Sequence, residues 1–200
     1  TLIEDAAESL GSLYKGRHTG TLGDFGALSF NGNKIITTGG GGAVLCQTKK
    51  RGNHVKHVTT TAKVPHKYEF FHDEPGFNYR MPNINAALGC AQIEVLETYI
   101  NKKRKVAEIY DQFFLDTDIK FFKEPDYAKS NYWLNSVICP NKKFRNDLLD
   151  KTNAQGVMTR PIWTLLHRLP MFTDAMRDDL SVSKEIEACL VNLPSSTINV

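Results

Sequence analysis

Short apolar runs and glycine-rich turns alternate near the start of the chain. Ala27 to Phe30 and Gly42 to Gln47 are typical of buried strands, and Leu2 to Glu4 is typical of the end of a parallel strand. The connection from residue 31 to 41 is polar and carries Lys34 ahead of a run of glycines. Glycine permits positive φ and a close approach of the backbone to a ligand. This loop is therefore the first candidate for chemistry.

Helical spacing dominates the middle of the chain. From Pro82 to Phe114 apolar residues recur at spacings of three, four or seven, which predicts one long helix or two nearly collinear helices. Lys49 to Ala62 is polar and is predicted to form a surface helix. Farther along, predicted strands and helices alternate, which favours an α/β fold: strands at Tyr132 to Cys139 and Val157 to Trp163, helices at Lys142 to Asn153 and Lys184 to Val191.

Composition narrows the class of protein. The formal net charge is +3 over 200 residues, so a nucleic-acid or membrane partner is not predicted, and no apolar run is long enough to span a bilayer. The four cysteines form no CxxC pair and are predicted to be buried thiols in a reducing cytoplasm. His54 and His57 lie on a predicted surface helix without a partner cluster, so we expect no metal site.

Three residues are candidates from their chemistry alone. Lys34 follows a strand, and a desolvated lysine loses its proton more easily and can form a Schiff base with an aldehyde. Ser29 can donate its hydroxyl to a phosphate, and a carboxylate at Asp5 could keep a pyridine nitrogen protonated. The alternatives are a surface lysine beside a hairpin turn and, for Asp5 with Glu8, an N-cap and capping-box acid at the start of a helix.

Four blocks of sequence together resemble the DegT/DnrJ/EryC1 family of sugar aminotransferases, which use pyridoxal phosphate. In chain order they are Glu4-Asp5-Ala6-Ala7-Glu8, Gly23-Asp24-Phe25-Gly26, Ser29-Phe30 with Lys34 and the glycines, and Gly76-Phe77-Asn78-Tyr79-Arg80-Met81. The resemblance implies a fold-type I pyridoxal-phosphate-dependent transferase, with part of the large domain in residues 1–100 and a small C-terminal α/β domain in residues 101–200. Family members are longer, so we expect this chain to be their C-terminal part.

The resemblance also implies roles for the cofactor residues. Lys34 would hold the cofactor covalently and act in catalysis, Asp5 would pair with the pyridinium nitrogen, and Glu8 would lie near the ring oxygen. Ser29 would bind the phosphate. Asn78 would reach the phosphate of the partner subunit, which implies a cytoplasmic homodimer with shared active sites.

The segment from Thr159 to Pro170 resembles the branch of the family that handles nucleotide-linked 4-keto sugars on the way to bacillosamine or legionaminic-type sugars. There Arg160 would meet a diphosphate, and Trp163 and His167 would line the sugar or nucleotide pocket; a core tryptophan and a hydrogen-bonded histidine are the alternatives. The implied reaction is transamination of a UDP-4-keto-6-deoxy sugar with glutamate. The competing hypotheses are a truncated non-catalytic remnant and a sugar-nucleotide binding module.

Overall fold

The computed structural model describes residues 1–197, which form two compact units. The first unit comprises Thr1–Asn101 and Pro125–Trp133, and the second comprises Lys102–Glu124 and the residues from Leu134 onward. The sequence-based boundary at residues 100 and 101 remains a prediction. In the structure the first unit also includes the short segment Pro125–Trp133, which follows residue 101 in sequence.

The strands are short and, over residues 1–197, fall into four small sheets. In chain order they are β1 (Ile3–Asp5), β2 (Leu13–Tyr14), β3 (Arg17–His18), β4 (Phe25–Ser29), β5 (Gly42–Cys46), β6 (Lys63–Val64), β7 (Phe71–His72), β8 (Lys120–Phe121), β9 (Ala128–Lys129), β10 (Asn135–Ile138), β11 (Arg160–Pro161) and β12 (Leu190–Leu193). The α-helices are α1 (Lys49–Thr59), α2 (Asn83–Glu94), α3 (Leu96–Phe114), α4 (Lys142–Ala154) and α5 (Ser181–Cys189), and Leu166–Arg168 and Pro170–Phe172 are 3₁₀ turns.

The main sheet of the first unit has the order β1-β4-β5. Strand β1 runs parallel to β4, with Asp5 beside Ala27, and β5 runs antiparallel to β4. The carboxyl ends of β1 and β4 therefore meet at one edge of the sheet. The predicted strands at residues 27–30 and 42–47 are confirmed, with shifts of one or two residues at their ends.

One glycine in β4 has to be glycine. A Cβ added at Gly26 would lie 2.1 Å from the carbonyl oxygen of Gly20, closer than any real Cβ contact. Gly20 itself has φ of +84°, in the left-handed region that favours glycine. This close approach lets the loop before β4 pack directly against the strand.

The long apolar stripe in the middle of the chain becomes two helices. Helix α2 ends at Glu94 and α3 begins at Leu96, and the backbone N–H of Val95 between them bonds to the carbonyl of Gln92. The sequence left one long helix or two helices open over residues 82–114, and the structure has two successive helices. Within the described residues no helix is both long and apolar enough to cross a bilayer.

The second unit is built on an antiparallel sheet of order β11-β12-β10-β8. Val137 of β10 lies opposite Val191 of β12, and both side chains are fully buried. Apolar residues of the helices and β8 pack on this pair, among them Tyr110, Phe114, Phe121, Leu148 and Leu149. Helix α4 is capped by the Asn141 side chain, which accepts from the backbone N–H of Phe144, and it is followed by Gly156 with φ of +78°.

Several sequence-based elements need correction. The predicted helix at residues 184–191 ends at Cys189, and the chain then forms β12, because pairing with β10 decides its conformation there. The predicted strand at residues 157–163 is reduced to Arg160–Pro161. The prediction of buried thiols holds for Cys139, whereas Cys46 and Cys189 are partly buried and Cys90 is exposed on α2, a helix without buried residues.

Candidate functional site

The lysine loop leaves the carboxyl end of β4 and is anchored by the two residues that follow the lysine. Ile35 is 9% exposed and Ile36 is 2% exposed, and they pack with Ile100 and with apolar side chains of the first unit. The loop is closed by backbone bonds from the N–H of Thr38 to the carbonyl of Phe30 and from Phe30 to Gly41. Lys34 therefore lies in an anchored loop. The sequence predicted the position of this loop after a strand but not its buried anchor.

Two side chains hold the amine of Lys34. Its Nζ donates to Glu8 Oε1 at 2.9 Å, and it lies 4.4 Å from the ring centroid of Trp133. The Trp133 indole is itself fixed, because its Nε1–H donates to the carbonyl of Asn33 at 2.6 Å. Only 12% of the Lys34 side chain is exposed. The amine is thus placed by an ion pair and a cation–π contact rather than left in solvent.

The structure brings Glu8 to Lys34, and it excludes the capping-box alternative. No helix follows Asp5: the chain turns, and the Asp5 carboxylate accepts from the backbone N–H of Ala7 at 3.2 Å. Since the helix is absent, Asp5 is not its N-cap and Glu8 is not a capping-box acid. Asp5 is instead the last residue of β1, at the edge where open α/β sheets bind ligands.

Ser29 is the last residue of β4 and shares that edge. Its Oγ accepts from the backbone N–H of Asn31 at 3.3 Å, at the start of the lysine loop. An amine, a carboxylate and a hydroxyl thus come from the ends of two neighbouring parallel strands and the loop that follows. This donor set fits pyridoxal phosphate, which needs an amine for its aldehyde, an acid for its ring nitrogen and donors for its phosphate.

Two residues of this region were not among the sequence-based candidates. Trp133 lies 99 positions after Lys34, and no local signal connects them. Glu4 stood in the first motif without a role. Its carboxylate accepts backbone N–H bonds from Gly23, Leu22 and Gly20 at 2.5–2.8 Å. Desolvation opposes ionisation of Glu4, but these three bonds outweigh it and hold its pKa below the ordinary value.

Asn78 lies in a segment that runs beside the end of α1. It forms an isolated bridge with Thr60, flanked by backbone bonds from Thr61 to Phe77 and from Tyr79 to Thr59. Gly76 is required here, because an added Cβ would lie 2.4 Å from the backbone carbon of Thr61. The segment is fixed by its backbone while Asn78 remains exposed, and its role toward a phosphate stays a prediction.

The three candidate substrate residues lie in the second unit. Arg160 is exposed on β11, and Trp163 is 64% exposed, so the alternative of a core tryptophan is wrong. His167 is partly exposed in a 3₁₀ turn; desolvation and the charges of Arg177 and Arg168 lower its pKa, which favours the neutral imidazole. Their part in substrate binding stays a prediction.

A cavity of about 1070 Å³ in the first unit lies elsewhere. Its lining comes from β4, from the glycines before β5, from β5 and α1, and from the residues that lead into α2, and it includes none of the candidate site residues. The size of a cavity is therefore a poor guide to the chemistry of this unit.

Comparison with known proteins identifies relatives of this chain. The model of the DegT/DnrJ/EryC1/StrS aminotransferase family matches residues 1–198. EpsN of Bacillus subtilis (strain 168), which is named as a pyridoxal phosphate-dependent aminotransferase, is 36% identical over 98% of this chain and 52% of its own length. The GDP-perosamine synthase of Escherichia coli O157:H7 is 34% identical over 97% of this chain and 52% of its own length.

A solved structure shows the same fold. The aminotransferase TlmJ from Streptoalloteichus hindustanus superposes with a TM-score of 0.90 at 24% identity, over 97% of this chain and 53% of TlmJ. The fold is that of the pyridoxal-phosphate-dependent sugar aminotransferases, as the sequence predicted, and the chain spans about half the length of the curated relatives it matches. On the strength of the family match over nearly its full length, the chain belongs to the DegT/DnrJ/EryC1/StrS aminotransferase family.

Proposed function

We propose that this chain provides the lysine-bearing part of a pyridoxal-phosphate-dependent aminotransferase that acts on a nucleotide-linked keto sugar. The observation that carries the proposal is the Lys34 amine, held at the carboxyl edge of a parallel strand pair by Glu8 and Trp133. A lysine that was merely solvated at the protein surface would not need a buried anchor for its loop, an ion pair and an aromatic face.

The candidate residues divide the work of holding the cofactor. Asp5 would keep the ring nitrogen protonated, and Glu8 would lie near the ring oxygen and accept from the Lys34 amine until the cofactor arrives. Ser29 and Asn78 would donate to the phosphate. When bound, pyridoxal phosphate supplies an electron sink through its protonated ring.

Proton transfer would fall to Lys34. In the first half-reaction its Nζ would move the proton from the α-carbon of the amino donor to the C4′ carbon of the cofactor, and in the second it would move a proton from C4′ to the sugar carbon that carries the new amine. Such acid–base work needs an amine fixed within reach of both carbons. The anchored loop and the Trp133 face supply that fixed position.

The substrate proposal is finer than the family. We propose a UDP-4-keto-6-deoxy sugar with glutamate as amino donor, in cytoplasmic polysaccharide biosynthesis, with Arg160 on the diphosphate and Trp163 and His167 beside the sugar or nucleotide. The resemblance of residues 159–170 supports this choice. The GDP-sugar named in one relative makes the guanine nucleotide the matched competitor in any test.

We also propose a homodimer with shared active sites. Large apolar side chains are exposed around the Asn78 segment, with Phe70 at 80%, Tyr68 at 74% and Tyr79 at 72%, and the Phe77 and Tyr79 rings stack at 5.2 Å. Contiguous exposed apolar surface is typical of protein interfaces. A second subunit would cover these rings and bring Asn78 to the neighbouring cofactor.

The test is amination by the purified protein. With pyridoxal phosphate and glutamate, UDP- and GDP-linked 4-keto-6-deoxy sugars are offered in turn, and the amino sugar and 2-oxoglutarate are quantified by mass spectrometry. We expect turnover with the UDP sugar and a loss of about 10²- to 10⁴-fold or more in Lys34→Ala. Lys50→Ala, at an exposed position of α1, is the matched control and should retain activity.

The other outcomes identify the competing functions. Sugar-nucleotide binding that Lys34→Ala leaves unchanged, without amination, would indicate a binding module. Neither binding nor amination would indicate a non-catalytic remnant. Either result contradicts the proposed function.

A further inference from the structure

A cluster of histidine and carboxylate groups lies outside the residues assigned to the aminotransferase. His57, Asp73 and Glu74 place a ring nitrogen and two carboxylate oxygens within 4.8 Å of one another. His57 Nε2 lies 2.6 Å from Asp73 Oδ1 and 3.8 Å from Glu74 Oε1. His54 Nδ1 lies 3.4 Å from the same Glu74 oxygen. One ring nitrogen and two carboxylates thus converge on one spot of the first unit, and the His54 ring lies beside Glu74.

The backbone holds the two halves of the cluster together. His54 and His57 are three residues apart on α1, so they share one face of the helix. The carboxylates follow β7, which pairs with β6 after the chain turns back from the end of the helix. The N–H of Asp73 bonds to the carbonyl of Ala62, and the N–H of Phe77 bonds to that of Val58 on α1. Residues 73–77 are therefore fastened to the helix on both sides.

The separations suit a small transition-metal ion. A tetrahedral zinc site with bonds of about 2.0–2.2 Å separates its ligand atoms by about 3.3–3.6 Å. The contacts of 3.4 and 3.8 Å are close to that spacing. The 2.6 Å contact between His57 and Asp73 would have to lengthen by less than about 1 Å, and the Asp73 side chain, 49% exposed, has the freedom to do so.

We propose that His54, His57, Asp73 and Glu74 bind a divalent transition-metal ion, with Zn²⁺ as the representative. Imidazole nitrogen combined with carboxylate oxygen suits zinc and its neighbours in the first row, whereas magnesium and calcium prefer oxygen alone. His57, Asp73 and Glu74 form the observed cluster, and His54 would be the fourth ligand once its ring turns toward the ion; four protein ligands would leave no open coordination position, which is the arrangement of a structural site. The ion would fasten the segment that begins at Asp73, five residues before Asn78, to helix α1.

The sequence predicted a solvated helix face for His54 and His57 and no metal site. The histidine spacing alone gave no reason to expect one. The carboxylates lie 16 to 20 positions away in sequence, and only the β6–β7 hairpin returns them to the helix.

The experiment is a calorimetric titration of the purified, chelator-treated protein with Zn²⁺. We expect saturable binding of one ion per chain, and a loss of affinity of about tenfold or more in His57→Gln and in Asp73→Asn. His18→Gln is the matched control: His18 is exposed on β3 and belongs to no such cluster in the part of the chain that the structure describes, so its loss should leave the affinity unchanged.

A second pair of variants separates binding from folding. His54→Gln and Glu74→Gln keep the 2.6 Å contact between His57 and Asp73, and they should weaken Zn²⁺ binding while the circular dichroism spectrum stays that of the parent. Titration with Co²⁺ should give the intense visible absorption of tetrahedral coordination. Absence of saturable binding, or an affinity that none of the four substitutions lowers, would overturn the proposal, and so would an equal loss in His18→Gln.

Discussion

The buried apolar residues of the two units have different structural roles. In the second unit the buried cluster of Val137, Cys139, Val191 and Leu193 joins two paired strands and carries no candidate catalytic group. In the first unit the buried cluster contains Ile35 and Ile36, which directly follow Lys34, and Trp133 packs against it. The core of the second unit therefore stabilises a sheet, whereas the core of the first unit also fixes the position of the Lys34 amine.

The most direct test of this difference is to truncate one buried side chain in each core. Leu193→Ala and Ile36→Ala should each lower the free energy of unfolding by about 2–5 kcal/mol, because both remove a buried aliphatic side chain. Only Ile36→Ala should also weaken pyridoxal phosphate binding, since Ile36 anchors the lysine loop. Urea unfolding and a cofactor titration at a temperature where both variants are folded measure the two effects. Equal losses of cofactor affinity would contradict the assigned difference.

A methyl group at Gly26 should be the next most damaging change. Its Cβ would meet the Gly20 carbonyl oxygen at 2.1 Å, so Gly26→Ala should cost about 1–3 kcal/mol or more of unfolding free energy. Gly32→Ala is the control: nothing lies within 4 Å of its added Cβ and its φ is outside the left-handed region, so a change within about 0.5 kcal/mol is expected. Thermal unfolding of the two variants tests the contrast, which fails if both behave alike.

Glu4 gives the first unit a pH dependence. Folding lowers the pKa of Glu4 from its ordinary value of 4.5, so its carboxylate stabilises the folded protein above that pH, and this contribution is lost as the pH falls through the lowered value. Glu4→Gln should cost about 1–3 kcal/mol at neutral pH and less in acid. Urea unfolding between pH 3 and 7, with exposed Glu94→Gln as control, measures this. A constant difference across the range would be evidence against the assigned role.

The smallest expected effect concerns the aromatic face over Lys34. Trp133→Leu removes the cation–π contact and the bond from Nε1–H to the Asn33 carbonyl, and should weaken cofactor binding by about 0.5–2 kcal/mol. Trp133→Phe keeps an aromatic face and should lose less. The ratio of the two cofactor affinities, measured by cofactor absorbance, gives the contribution of the aromatic ring. If both variants bind the cofactor as well as the parent protein, Trp133 has no role in cofactor binding.

Local patterns predicted the parts of the fold that local forces decide. Strands β4 and β5 follow from short apolar runs, and the helical character of residues 82–114 follows from apolar spacing, although the spacing left one or two helices open there. The apolar run at residues 186–193 fits a helix or a strand equally well, and the partner strand β10 decides in favour of β12 from Leu190 onward. The periodicity of the sequence carries no information about this pairing with β10.

The candidate site was predicted in its residue types but not in its contacts. Lys34, Asp5 and Ser29 could be proposed because strand ends and glycine-rich loops are visible in the sequence. The ion pair to Glu8 and the ring of Trp133 join positions 26 and 99 residues from the lysine, so only the folded chain reveals them. Glu8 in particular carried a capping-box pattern whose helix never forms.

The central claim is that the Lys34 amine carries the cofactor, and peptide mapping tests it most directly. The purified protein is incubated with pyridoxal phosphate, reduced with borohydride and digested, and the modified peptide is identified by mass spectrometry. The account predicts a pyridoxyl group on Lys34, in the tryptic peptide of residues 18–49 that contains Ser29, because trypsin cleaves after Arg17 and Lys49 but not after the modified lysine. Modification of a different lysine, or of none, would contradict it.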